Sequence, residues 1–179
     1  MPSTGLTLCG RGQSAGGGDE AWLNPDNIST AGDGTQATCT PAARDFTDSL
    51  RADQFGFAVA GDITEITVRV RKSGSSGNDF EDDVVKLFNG TTTVGAGKGT
   101  SDTWPTSPTD VDYTWSEAEL TTAGITAAIV NLSGFGIEIS AEDTASGSDT
   151  AKVSEIEMNV TYSGGAANTG FFKLLGQMP

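Results

Sequence analysis

The chain has 179 residues, 36% of them hydrophobic and 24 of them glycine, which suits one domain of short strands and frequent turns. Ten Lys and Arg stand against 24 Asp and Glu, a formal charge of −14; so acidic a surface repels phosphate backbones and anionic lipid, and neither a nucleic-acid nor a membrane partner is expected. With no histidine, the commonest general base, the usual zinc ligand and every His-containing triad are excluded.

The N-terminus lacks a basic region followed by an apolar run, and no stretch approaches the roughly 18 apolar residues that cross a bilayer, so a soluble protein made in the cytosol is expected. Residues 1–21 read as a Gly/Ser-rich N-terminal arm, either flexible or laid down as an extended strap. Order is expected from Trp22-Leu23-Asn24-Pro25, where Asn-Pro initiates a turn. After the Asp33-Gly34 turn comes a short strand over Thr35–Thr40, then Gln54–Val59 with aromatics alternating about a glycine. Ile63–Lys72 is the clearest strand: Ile66, Val68 and Val70 share one face, and Thr67, Arg69 and Arg71 the other.

Asp82–Gly90 reads as a strand ending in an Asn-Gly hairpin signal, with Thr91–Val94 as its return. A long polar loop carries Trp104 and leads to an extended Val111–Trp115. Ser116-Glu117-Ala118-Glu119-Leu120 resembles a capped helical turn, and Ile125–Val130 is either a short helix or a strand. Gly134–Ser140 and Ala151–Tyr162 are the last strands; in the latter Val153 leads into Ile156, Met158 and Val160. About eight short strands and little helix define an all-β, antiparallel β-sandwich of jelly-roll type over residues 22–162. Residues 163–179 are a linker and a C-terminal tail. There Phe171, Phe172, Leu174 and Leu175 form an apolar cluster that either folds back on its own sandwich or serves as a partner-docking site.

The residues suggest no catalytic constellation. There is no SxxK or GxSxG motif, and Glu138, Glu155 and Glu157 fall at polar positions of strands, where a solvated sheet face accounts for them. The acidic clusters Asp79–Asp83 and Glu142-Asp143 lack the EF-hand pattern, and Gly95–Thr100 lacks the spacing of a phosphate-binding loop, so no metal and no cofactor is implied. Cys9 and Cys39 either form one disulfide or remain thiols. Trp104, Tyr113 and Trp115 either seal the edge of the core or form a glycan platform.

Taken in order, Trp22–Pro25, Asp33–Ala37, Phe55–Val59, Ile63–Val70, Phe135–Ile137, Ala151–Ile156 and the strand end at Tyr162 resemble a group of small β-sandwich structural proteins of tailed bacteriophages. The resemblance implies a non-enzymatic virion component, foremost a capsid decoration (cement) protein. It would bind the major capsid protein or other virion proteins and form a homo-oligomeric lattice, localised in the virion after synthesis in the host cytoplasm. The final strand is also similar to the closing strand of jelly-roll carbohydrate-binding modules. That implies, as the alternative, a tail- or fibre-associated carbohydrate-binding module.

Overall fold

The structure, a computed structural model, describes residues 1–76 and 79–164. Its strands are β1 (Thr7–Leu8), β2 (Arg11–Ser14), β3 (Ala37–Cys39), β4 (Leu50–Asp53), β5 (Ile63–Gly74), β6 (Phe80–Asn89), β7 (Thr93–Val94), β8 (Thr109–Ser116), β9 (Phe135–Asp143) and β10 (Ala151–Tyr162). Two short helices, α1 (Glu117–Thr122) and α2 (Ala127–Val130), join β8 to β9, and a 3-10 turn spans Pro25–Ser29. One sheet runs β1-β10-β5-β8, with β3 also on β10; the other runs β2-β4-β9-β6-β7. The pairings β3–β10, β4–β9, β5–β8 and β6–β7 are nested and antiparallel. Such nesting is what a long folded-over ribbon leaves when it rolls into two sheets, so the molecule is an antiparallel β-sandwich with jelly-roll connectivity.

Period-two alternation builds the core. Ile66, Val68 and Val70 of β5 are fully buried and share one core cluster with Ile137, Ile139 and Leu87 of the other sheet. Two bulges correct the phase where the sequence breaks it. In β10 the register shifts between Val153 and Glu155, which explains the three-residue step from Val153 to Ile156; both are fully buried. In β6 it shifts between Asp82 and Val84, so Phe80 and Asp82 precede the shift on the inner face and Val85 and Leu87 follow it.

The structure decides two open readings, of the N-terminal arm and of Ile125–Val130, and departs from the sequence at Gln54–Val59. The N-terminal arm is a strap: β1 pairs with β10 and β2 with β4, and the Trp22 indole donates to the Asp48 carbonyl at 2.7 Å. Residues 7–14 thus supply an edge strand to each sheet. Gln54–Val59 is not a strand, because Gln54 and Gly56 adopt positive φ (62° and 71°); instead the Phe55 and Phe57 rings stack at 5.5 Å over the end of the core. β4 lies just before this segment, at Leu50–Asp53. Ile125–Val130 resolves to a short helix whose Thr126 side chain accepts from the Ile129 amide. The docking residues Phe171, Phe172, Leu174 and Leu175 lie outside the described residues.

Candidate functional site

β8 is the open edge of its sheet, and the sequence places it there with alternating faces. Val111, Tyr113 and Trp115 turn inward, while Asp112 and Thr114 stay exposed. The loop from β7 first continues along β6: the Lys98 amide donates to the Val85 carbonyl at 2.8 Å and the Asp82 amide to the Thr100 carbonyl at 3.2 Å. It stays on β6 as far as Trp104, whose amide donates to the Phe80 carbonyl at 2.8 Å and whose ring centroid lies 5.9 Å from that of Phe80, and crosses to the other sheet at Pro105, whose carbonyl accepts from the Gly74 amide of β5 at 2.8 Å. Between this loop and the edge of β8 lies an open hollow of about 380 Å3. Tyr113, Val111 and Pro105 give it apolar surface; Lys98, Thr100, Asp102, Asp112 and Thr114 supply polar groups around them.

Beneath the hollow the two sheets are joined by polar side chains. Lys72 continues the inward phase of β5, and Asp82 the inward phase of β6; their side chains are 5% and 2% exposed and form an ion pair. The Lys72 ammonium also donates to the Tyr113 hydroxyl at 2.6 Å, and that hydroxyl donates to the second Asp82 oxygen at 2.8 Å. The Trp104 indole donates to the first Asp82 oxygen at 2.8 Å, and the Thr100 amide to the second at 3.3 Å. Lys72 also lies 4.6 Å from the centre of the Trp104 ring and 5.3 Å from that of Tyr113. Burial pushes the Lys72 ammonium below its ordinary pKa, an effect opposed by the Asp82 charge. Burial, then the Asp82 charge, raises the Tyr113 phenol above its own.

Of the two roles read for Trp104, Tyr113 and Trp115, their packing is that of residues sealing the edge of the core. Trp104, Tyr113 and Trp115 are 2%, 5% and 0% exposed, and their polar atoms bond inward, Trp115 to the Ala96 carbonyl at 2.9 Å. Aromatic rings beside a polar loop are drawn into the gap between the sheets because burying them removes far more apolar area from water than exposing them for stacking. Only Tyr113 of the three lines the hollow. Glu138 likewise does not lie on a solvated face: it is 8% exposed and accepts from Arg51 Nε at 2.8 Å, with the Arg51 guanidinium 3.8 Å above the Phe88 ring.

Sequence reasoning had Lys72 only as the end of a strand and Asp82 only as a member of an acidic cluster, and missed their buried pairing. The signal was nonetheless present: Lys72 stands two residues beyond Val70 in an unbroken inward series, so a charged residue occupies an apolar phase. Cys9 and Cys39 are free and buried, bonding to separate carbonyls. Among the described residues, no three His, Cys, Asp or Glu side chains are grouped so as to hold a metal ion. The acidic clusters are instead used locally: Asp83 accepts from the Ser140 hydroxyl at 2.7 Å, and Asp143 from the Ala145 amide at 2.8 Å. Lys98, in the loop that superficially resembles a phosphate cradle, pairs with Glu119 at 2.5 Å. No described helix is long and apolar enough to cross a membrane.

No family model matches the chain, and no curated protein matches it. Among solved structures it is similar to a CBM4 structure at 12% identity and a TM-score of 0.44, covering 88% of this chain and 95% of that one. It is also similar to the N-terminal cellulose-binding domain of Cellulomonas fimi β-1,4-glucanase C at 13% identity and a TM-score of 0.43, covering 90% and 95%. A family 29 carbohydrate-binding module from Piromyces equi aligns at 9% identity and a TM-score of 0.39, covering 90% and 93%.

Proposed function

We propose that this domain is a non-catalytic binding module that holds an uncharged carbohydrate in the hollow at the β8 edge. The observation that carries the reading is the division of that hollow: apolar surface from Tyr113, Val111 and Pro105 beside the polar groups of Thr100, Asp102, Asp112 and Thr114. A sugar ring has the matching division, with C–H faces that rest on apolar surface and hydroxyl edges that both donate and accept hydrogen bonds. The net charge of −14 disfavours anionic ligands, which leaves neutral polyhydroxy compounds as the class best matched to an acidic cleft. An array of neutral oligosaccharides, followed by calorimetry on the strongest ligand, tests the reading. Asp102→Ala combined with Thr114→Ala lowers affinity at least about tenfold, the loss expected on removing hydrogen bonds of which one is charged. A blank array with the folded native protein overturns the reading.

A further inference from the structure

The Lys72–Asp82 pair holds the reactants of a condensation. An amine nitrogen lies against a carboxyl group, both nearly sealed from water, on strands that belong to opposite sheets. We infer that Lys72 and Asp82 join spontaneously in an intramolecular isopeptide bond, an amide that ties β5 covalently to β6.

The surrounding groups have the arrangement that this chemistry needs. One proton passes from the Lys72 ammonium through the Tyr113 hydroxyl to Asp82 Oδ2, converting ammonium and carboxylate into amine and carboxylic acid. Low dielectric favours this exchange because it removes two buried charges at once. The downward shift at Lys72 caused by burial acts in the same direction. The Lys72 Nζ lone pair then attacks Asp82 Cγ, forming the C–N bond.

The Trp104 indole N–H, 2.8 Å from Oδ1, stabilises the charge that develops there, and Oδ1 remains as the amide oxygen. The Tyr113 hydroxyl touches both the attacking nitrogen at 2.6 Å and Oδ2 at 2.8 Å. It accepts a proton from nitrogen as it delivers its own to Oδ2, which departs as water when the C–O bond breaks. Lysine amine plus aspartic acid thus gives amide plus one water, with no oxidant or co-reactant. The adjoining hollow, lined by both Lys72 and Tyr113, gives that water a route out. Condensation is unfavourable between free reactants in dilute aqueous solution, but fixed juxtaposition corresponds to an effective concentration on the order of 10⁵ M or more, and the product no longer carries buried charge.

The mass of the intact, denatured protein is the test. The native chain is expected to weigh one water less than its sequence. Cleavage after Glu81, between the two residues, is expected to leave the piece containing Lys72 bonded to the piece that begins at Asp82. Lys72→Arg removes the bond and restores the full mass. Tyr113→Phe keeps the ring in place but slows bond formation about a hundredfold, the share of a positioned proton relay. A folded native protein that keeps its full mass after prolonged incubation overturns the inference. So does a missing water that maps to any other residue, such as a succinimide at Asp33-Gly34. Bond formation in Tyr113→Phe at the native rate overturns the relay.

Discussion

The Cys9 thiol donates to the Ile28 carbonyl at 3.4 Å and the Cys39 thiol to the Glu20 carbonyl at 3.2 Å, each inside the core beside the strap. Burial, foremost, pushes both thiols up from an ordinary 9.0 to about 12. A thiol that stays neutral in the fold but ionises in the unfolded chain stabilises the fold fully below pH 9.0. That contribution is lost as pH rises from 9.0 towards 12. Stability should therefore fall across this window, and the fall should be shallower in a Cys9→Ala/Cys39→Ala variant; equal slopes in urea titrations would show that the thiols take no part. At neutral pH both residues should resist alkylation in the native protein and react once it is unfolded, since the thiolate is the reactive species. The spacing of the two cysteines carried no information on this point. What decides it is that the strap places each sulfur against a different backbone carbonyl.

At the level of strands, the outer face of the β5–β8 sheet carries a charged row, with Glu157 on β10 opposite Arg69 on β5, and Arg69 opposite Asp112 on β8. Arg69 spends its fork on Asp112, at 2.9 and 3.0 Å. Glu157 is left with partial burial and with Glu155, Asp110 and Asp112 nearby, which together raise its pKa against the pull of Arg69. A carboxyl raised in the fold favours folding below its ordinary range and loses that contribution as pH rises through it. Glu157→Gln is thus expected to stabilise by a few tenths of a kcal/mol at neutral pH, with the gain fading as pH falls from the raised pKa towards 4.5 and absent below it. Urea midpoints at the two pH values check this. On the other sheet, β4 approaches β9 so closely that a Cβ at Gly136 would lie 1.9 Å from the Ala52 carbonyl oxygen. Gly136→Ala should cost about 3 kcal/mol by forcing the strands apart, whereas Gly147→Ala, with open space around it, should be near neutral.

The two sheets were legible wherever alternation was clean, as in β5, β9 and the stretch of β10 from Ile156 to Val160, because a period of two is imposed by the pleat itself. The in-core use of Lys72 and Asp82 was masked by their charge and by the bulge after Asp82, which shifts the phase that a reader would count. The burial of Trp104 was not legible because it depends on a loop that crosses between sheets, and such a crossing leaves no local periodicity. The strap was equally hidden, since two- and four-residue strands rich in glycine look like linker until their partners are known. Those partners define the behaviour of the whole molecule: β10 lies between β5 on one side and β1 and β3 on the other, so the last strand completes the sheet that the first begins. Truncation after residue 150 removes this central strand and should abolish cooperative folding. Truncation after residue 164 leaves every described pairing intact and should preserve the native urea transition. The same shortened chain tests the expectation attached to Phe171, Phe172, Leu174 and Leu175. If those side chains dock on a virion partner or on a second subunit, the folded, truncated protein should lose co-assembly while keeping its sugar binding in the β8 hollow; retention of both would leave the tail no docking role.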